Sequence, residues 1–185
     1  PPGLSFVSMS KKAWQASENS NLPKFYLNLK SYKKSLSSNS NPYTPAVNLV
    51  FALDESLKMM KDEGLDKIFK KHEKHKLAVS EAVQKLNLKL FADKNHLSPS
   101  VTAIQTEDLD AEEFRKTIKN KYEILLAGGQ DHLKGKIFRI GHLGYINDKD
   151  IISVIAAVGN SLVEQKKIST KQFGEALQIA AHYLD

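Results

Sequence analysis

After Leu86 the spacing of the apolar residues changes, and that change limits what the chain can become. Before it, Val47, Val50, Phe51, Leu53, Leu57 and Met60 recur at three- and four-residue steps, and so do Leu65, Ile68, Phe69, Val79, Val83 and Leu86. Such steps place side chains along a helix face. After it come short runs of strand-forming residues: "LKLFA" (88–92), "VTAIQ" (101–105), "EILLA" (123–127) and "KIFRIG" (136–141). Helical patterns lie between and beyond them. The order β-β-α-β-β-α-α, preceded by long helices, predicts an α/β (α+β) small domain, a small sheet covered by helices.

Local signals set the expected boundaries. Thr44 is a good cap, and Pro45 suits a first helical position, for a helix closed at Gly64. Asp110 with Glu113 three residues on, Asn147, and Ser169 or Thr170 open three later helices. The first 45 residues look less self-sufficient. "LSFVSMS" (4–10) reads as one strand with no evident partner, followed by a short helix over 11–19 and a polar loop over 37–43. A chain that opens Pro1-Pro2-Gly3 without an initiator methionine reads as part of something longer.

Composition excludes several functions. There is no cysteine, hence no disulfide, thiolate metal site or cysteine nucleophile, which suits a reducing cytoplasm. The longest apolar run, "IISVIAAVGNSLV" (151–163), is short for a bilayer and carries Asn160. The net charge of +6 invites a nucleic-acid reading. Against it, the lysines are scattered among Glu and Asp, and arginine, the usual phosphate and base reader, is nearly absent. No nucleic-acid or membrane partner is therefore expected.

Of the 27 basic residues only Arg115 and Arg139 are arginine. Arg139 stands inside the apolar strand pattern of "GKIFRIGHLGY" (135–145), with Gly141 and Gly144 nearby. A guanidinium at least partly buried there needs an anion, and its planar fork suits a carboxylate. That carboxylate is either an Asp or Glu of the chain or one belonging to a ligand. Thr44 offers a similar choice, between plain helix cap and anion site, with Tyr43 beside it. His72 and His75 in "KHEKH" lie three apart on a helix, but the surroundings are Lys-rich and supply no third ligand, so a solvated face is expected and no metal site. His142 is a lone strand histidine, structural or catalytic. "AGGQDHLKGK" (127–136) lies between two strand patterns, which favours a hairpin-like turn over a phosphate loop.

Read in order, "PPGLSFVSMSKKAW", "FYLNLKSYKKS", "NPYTPAVNLVFALDESLKMMKDEGLDKIFKKHEKH", "LKLFA" and "LLAGGQDHLKGKIFRIGHLGY" resemble the C-terminal half of class V, fold-type I, pyridoxal-phosphate aminotransferases. The nearest branch is the alanine–glyoxylate, serine–glyoxylate and serine–pyruvate group, which includes proteins described as the small subunit of soluble hydrogenase. The resemblance covers essentially the whole chain, and its most specific parts are "YTPAV…ALDE" and "FRIGHLG". It implies that Arg139 binds the α-carboxylate of an amino or oxo acid. It implies that Thr44 reaches the cofactor phosphate of the neighbouring subunit in a homodimer, with Tyr43 close by. Some members carry a Tyr three residues before that Thr, where this chain has Asn41.

The resemblance further implies a cytoplasmic enzyme that moves an amino group from a small amino acid, alanine or serine, to glyoxylate or pyruvate. Residues 1–45 would finish the large cofactor domain, 46–63 form a connecting helix, and 64–185 form the small domain. The lysine that carries the cofactor would precede "PPG", so the chain alone holds no catalytic residue and is expected to be inactive. The alternative is a stand-alone, non-catalytic ligand-binding or regulatory α/β domain.

Overall fold

A computed structural model describes residues 3–185. The chain divides into two compact units, Pro1–Glu63 and Gly64–Asp185.

The first unit is helical. Helix α1 (Lys11–Glu18) is capped by Ser10, whose side chain accepts from Ala13 N, and α2 (Leu29–Leu36) by Asn28, which accepts from Lys30 N. Helix α3 (Val47–Glu63) starts two residues later than the Thr44 cap predicts. Its first turn closes on the Pro45 and Ala46 carbonyls, so Thr44 and Pro45 lie outside it. "LSFVSMS" is not a strand. A strand needs a partner ladder, and every paired strand among the described residues lies beyond residue 88.

None of the described residues up to Glu63 is buried. Val50, Phe51, Leu57, Met59 and Met60 are all exposed on α3, as are Phe6, Leu22, Phe25 and Leu27 before it. Among the described residues α3, expected to bury much of its circumference, has no buried side chain, and only Leu49 and Leu53 are partly covered. Exposed apolar surface of this extent favours association. Residues 1–185 in isolation are expected to self-associate as concentration rises, and light scattering from a clean monomer at high concentration would contradict this.

The second unit holds the core. Helix α4 (Leu65–Lys85) packs with α6 (Asp148–Glu164) and α7 (Thr170–Leu184). The sheet consists of β1 (Lys89–Leu90), β2 (Val101–Gln105), β3 (Ala127–Gly128) and β4 (Ile137–Gly141), with α5 (Ala111–Tyr122) between β2 and β3. Its order is β1-β2-β4-β3, antiparallel throughout. Thr102 and Ile104 on β2 pair with Ile140 and Phe138 on β4, and all four are buried. Ile151, Val154, Ile155, Val158 and Leu162 carry the helical spacing of α6 into the same core.

Capping follows the sequence closely here. Asp110 accepts from Glu112 N and Glu113 N at the start of α5, and Ser169 from Gln172 N at the start of α7. Asn147 forms a complete capping box with Asp150 at α6. Where α6 meets α7, a Cβ on Gly159 would run into the Phe173 ring and touch Leu86 Cδ2 at 3.3 Å.

Two strands are shorter than their sequence patterns. β1 keeps two residues of "LKLFA". In "EILLA" the strand is displaced to Ala127–Gly128, because Glu123 takes a left-handed conformation (φ 59°) to close α5 and the next residues lead the chain away from the helix. The turn between β3 and β4 is the hairpin expected of "GGQDHLKG".

Candidate functional site

Arg139 sits at the centre of β4, directly opposite Ala103 on β2 and Ala127 on β3. Residues paired across an antiparallel ladder share a face. Arg139 is therefore flanked by two small side chains, on the face opposite Phe138 and Ile140. Gly141 follows on the same face, and a Cβ there would meet nothing within 4 Å. The strand face beside Arg139 is therefore open at position 141.

The Arg139 side chain is half-buried, and its Nε donates to the Gly128 carbonyl at 3.0 Å. Among the described residues no carboxylate forms an ion pair with it. The internal Asp or Glu that would have explained a buried arginine is missing. With Nε engaged, the two terminal nitrogens form the free edge of the fork.

Arg115 on α5 makes an instructive contrast. Its Nε donates to the Leu126 carbonyl at 2.8 Å, and its Nη1 donates to Glu112 Oε2 at 2.7 Å. Both arginines thus bind a backbone carbonyl of one short segment through Nε. Arg115 then completes its fork on a carboxylate, and Arg139 does not. Sequence reasoning passed over Arg115, although it was the only other arginine and stood three residues after a glutamate.

Thr44 and Tyr43 belong to the first unit. Thr44 is exposed, and among the described residues its hydroxyl has no hydrogen-bond partner. The Tyr43 ring packs against Phe25, Tyr26 and Tyr32 with centroids 5.7, 4.7 and 6.1 Å away. Its hydroxyl donates to the Phe25 carbonyl at 3.1 Å. The tyrosine is therefore held from behind, just ahead of the free threonine.

The histidines correct the sequence reading. His72 and His75 are buried rather than solvated, because their three-residue spacing continues the inner face of α4 through Val79 and Leu86. His75 Nε2 lies 2.8 Å from Asp148 Oδ1, and Lys74 Nζ donates to Asp148 Oδ2 at 3.0 Å and to the Leu184 carbonyl. His72 Nδ1 donates to the His142 carbonyl at 2.9 Å. No group of side chains able to hold a metal ion occurs among the described residues.

His142 is fully enclosed. Burial, aided by the nearby His75 and His72 and opposed by the Pro99 hydrogen bond, lowers its pKa from 6.5 to about 4. The ring is neutral near pH 7. Nδ1 faces the Pro99 carbonyl at 3.1 Å and must donate, so Nε2 accepts from the Thr102 hydroxyl at 2.9 Å. Both nitrogens are committed to structure. His142 ties the end of β4 to the segment before β2.

Known proteins resemble the chain in sequence and in fold. The "Soluble hydrogenase 42 kDa subunit" of Anabaena cylindrica is 47% identical over 181 residues, 98% of this chain and 46% of that protein. The serine–glyoxylate aminotransferase of Methylorubrum extorquens is 32% identical over 191 residues, 100% of this chain and 47% of that protein. The ureidoglycine–glyoxylate aminotransferase of Bacillus subtilis superposes with a TM-score of 0.81 at 28% identity, over 91% of this chain and 44% of that one.

The chain belongs to the class V aminotransferases. It corresponds to the C-terminal part of such an enzyme, and it spans less than half the length of these relatives. No family model matches it. The small antiparallel sheet with its helices is the C-terminal domain of the fold-type I aminotransferase architecture. No helix among the described residues is long and apolar enough to cross a membrane.

Proposed function

We propose that this chain is the C-terminal portion of a pyridoxal-phosphate-dependent aminotransferase that moves an amino group from a small amino acid, alanine or serine, to glyoxylate or pyruvate. The observation that carries the reading is Arg139, half-buried on a rigid strand, with Nε engaged and no carboxylate to complete its fork. Arg115, in the same chain, has the completed form.

Arg139 takes the α-carboxylate end-on through its two terminal nitrogens. Every amino acid and every 2-oxo acid carries that group, so one arginine serves donor and acceptor in turn. Ala103, Ala127 and Gly141 leave the room for it. A strand position holds the guanidinium more rigidly than a loop would, and the bidentate pair orients the reacting carbon before any proton moves. Glyoxylate as acceptor is supported by the names of both aminotransferases above, whose donors differ.

The residues present fit the cofactor. Thr44 has a free, exposed hydroxyl for a phosphate oxygen, and Tyr43, fixed through Phe25, stands next to it. When bound, pyridoxal phosphate supplies the conjugated ring that takes up the electron pair released at the amino-acid Cα. Residues 1–45 complete the large cofactor domain, 46–63 form the connecting helix and 64–185 the small domain. Thr44 serves the phosphate of the neighbouring subunit in a homodimer. In this reading the cofactor-bearing lysine belongs to sequence before Pro1, and residues 1–185 alone do not catalyse the transfer.

The test is steady-state kinetics of the complete protein loaded with pyridoxal phosphate, using serine or alanine with glyoxylate. Arg139→Lys loses the planar fork and is expected to raise KM for donor and acceptor alike by about 10- to 100-fold, the worth of a charge-assisted pair. Unchanged KM values would remove Arg139 from the site. Gly141→Ala is expected to leave thermal stability unchanged, since its Cβ meets no protein atom, while raising KM for the oxo acid. A loss of stability with KM intact would mean the space beside Arg139 is structural.

A further inference from the structure

We propose that Arg115 is a positioning residue for Arg139, acting through the short edge strand β3; the inference rests on the carboxylate role given to Arg139 above. Strand β3 is only two residues long and lies at the edge of the sheet. Its ladder with β4 consists of Ala127 opposite Arg139 and Gly128 opposite Phe138, extended by the Gly129 amide donating to the Ile137 carbonyl at 3.2 Å. So short an edge is weakly held by its own ladder. Yet it supplies the Gly128 carbonyl, the one hydrogen-bond partner of the Arg139 guanidinium among the described residues.

Arg115 supplies the missing restraint from the α5 side. Its Nε bond fixes the Leu126 carbonyl, immediately before β3, and Glu112 fixes its other end. The guanidinium also packs directly on Gly128: a Cβ at that glycine would stand 2.5 Å from Arg115 Nη1 and 2.8 Å from Glu112 Oε1. Glycine at 128 is what permits this approach. The chain of contacts runs from Glu112 to Arg115, from Arg115 to the backbone of 126–128, and from the Gly128 carbonyl to Arg139 Nε. The free edge of Arg139 points where β3 directs it.

This also accounts for the use of arginine in a chain that otherwise chooses lysine. An Nε–H donates side-on to a carbonyl while the end of the same planar group stays available for a carboxylate. Lysine has one terminal ammonium and cannot hold a backbone carbonyl and a carboxylate in one fixed plane. Both arginines of the chain do this job, one on each side of β3.

A double-mutant cycle in the complete protein tests the proposal. Arg115→Lys is expected to raise KM for glyoxylate about tenfold, with kcat within about twofold and the thermal midpoint little changed. In an Arg139→Lys background the same change is expected to have no further effect on KM, because the residue it positions is gone. A purely structural Arg115 would add its full effect in both backgrounds, and that additivity would overturn the proposal, as would an unchanged KM. Should Arg115→Lys fail to fold, Gly128→Ala displaces the Arg115 guanidinium from the other side; it is expected to give the same rise in KM and the same loss of effect beside Arg139→Lys. The arms separate the two ideas. Arg139→Lys raising KM while Arg115→Lys does not overturns the positioning role alone. Arg139→Lys leaving KM unchanged overturns the carboxylate reading and the positioning role with it.

Discussion

Lowering the pH from 7 to 4 is expected to cost the second unit about 3 kcal/mol through His142 alone. The side chain is fully enclosed, and its pKa is lowered from 6.5 to about 4. Between those values the unfolded chain binds a proton that the folded chain refuses, so stability is greatest above pH 6.5 and falls as the pH falls towards 4. Protonation puts a hydrogen on Nε2, which now accepts from Thr102, and places a cation beside His72 and His75. Asp148 works in a separate window. Burial alone would raise its pKa, but the hydrogen bonds from His75 and Lys74 outweigh this and hold it below 3.8. Its contribution is therefore lost only below about that pH. Urea midpoints of the wild type and His142→Gln at pH 7, 5.5 and 4 separate the two. Gln cannot titrate, so the variant is expected to be less stable at pH 7 but flatter down to pH 4. Parallel curves would remove His142 as the source.

The second unit was legible in the sequence because its signals are local. Asp110 and Asn147 cap the helices they were expected to cap, and of the pair Ser169 or Thr170 it is Ser169 that caps the last. The alternation Phe138, Arg139, Ile140 reports a strand with one face in the core, and the ladder with Thr102 and Ile104 bears it out. The misses are non-local. "LSFVSMS" has strand composition, but no strand among the described residues pairs with it. The apolar residues of α3 have helix spacing, but Val50, Phe51, Leu57, Met59 and Met60 stay exposed. Periodicity tells which side chains share a face and not whether that face has a partner. His72 and His75 failed for the opposite reason. Their lysine neighbours suggested a wet surface, while the spacing 72, 75, 79, 83, 86 already placed them on the inner face.

The candidate site was half legible. Arg139 stood out because arginine is rare here and because its strand is apolar. Its choice between an internal acid and a ligand carboxylate was open in the sequence, since no pattern tells which of 21 acidic residues lies near. Among the described residues no ion pair joins Arg139 to an acid, and Glu112 on the neighbouring helix pairs with Arg115. The dependence of Arg139 on Gly128 could not be read at all. A glycine before a hairpin reads as a turn residue, and only the three-dimensional approach of Arg115 gives it a second reason to be small.

Asp148→Ala is expected to destabilise the second unit by about 2–4 kcal/mol, more than removal of an exposed ion pair would. Asp148 is itself half-exposed, so its own charge is well solvated and its loss costs little directly. The cost falls on His75. That ring is fully buried, its Nδ1 has no partner among the described residues, and Asp148 is the acceptor for its Nε2. Without the carboxylate the ring has a polar edge in the core with nothing to bond. Lys74 fares better, because it keeps the Leu184 carbonyl. Asp148 is also the first residue of α6, where a negative charge suits the helix dipole. Asp148→Asn separates these parts: it retains an acceptor for His75 and gives up the charge, and is expected to cost only about 1 kcal/mol. Equal losses for Ala and Asn, read from urea unfolding at pH 7, would mean that the charge at the α6 terminus, and not the buried histidine, carries the stability.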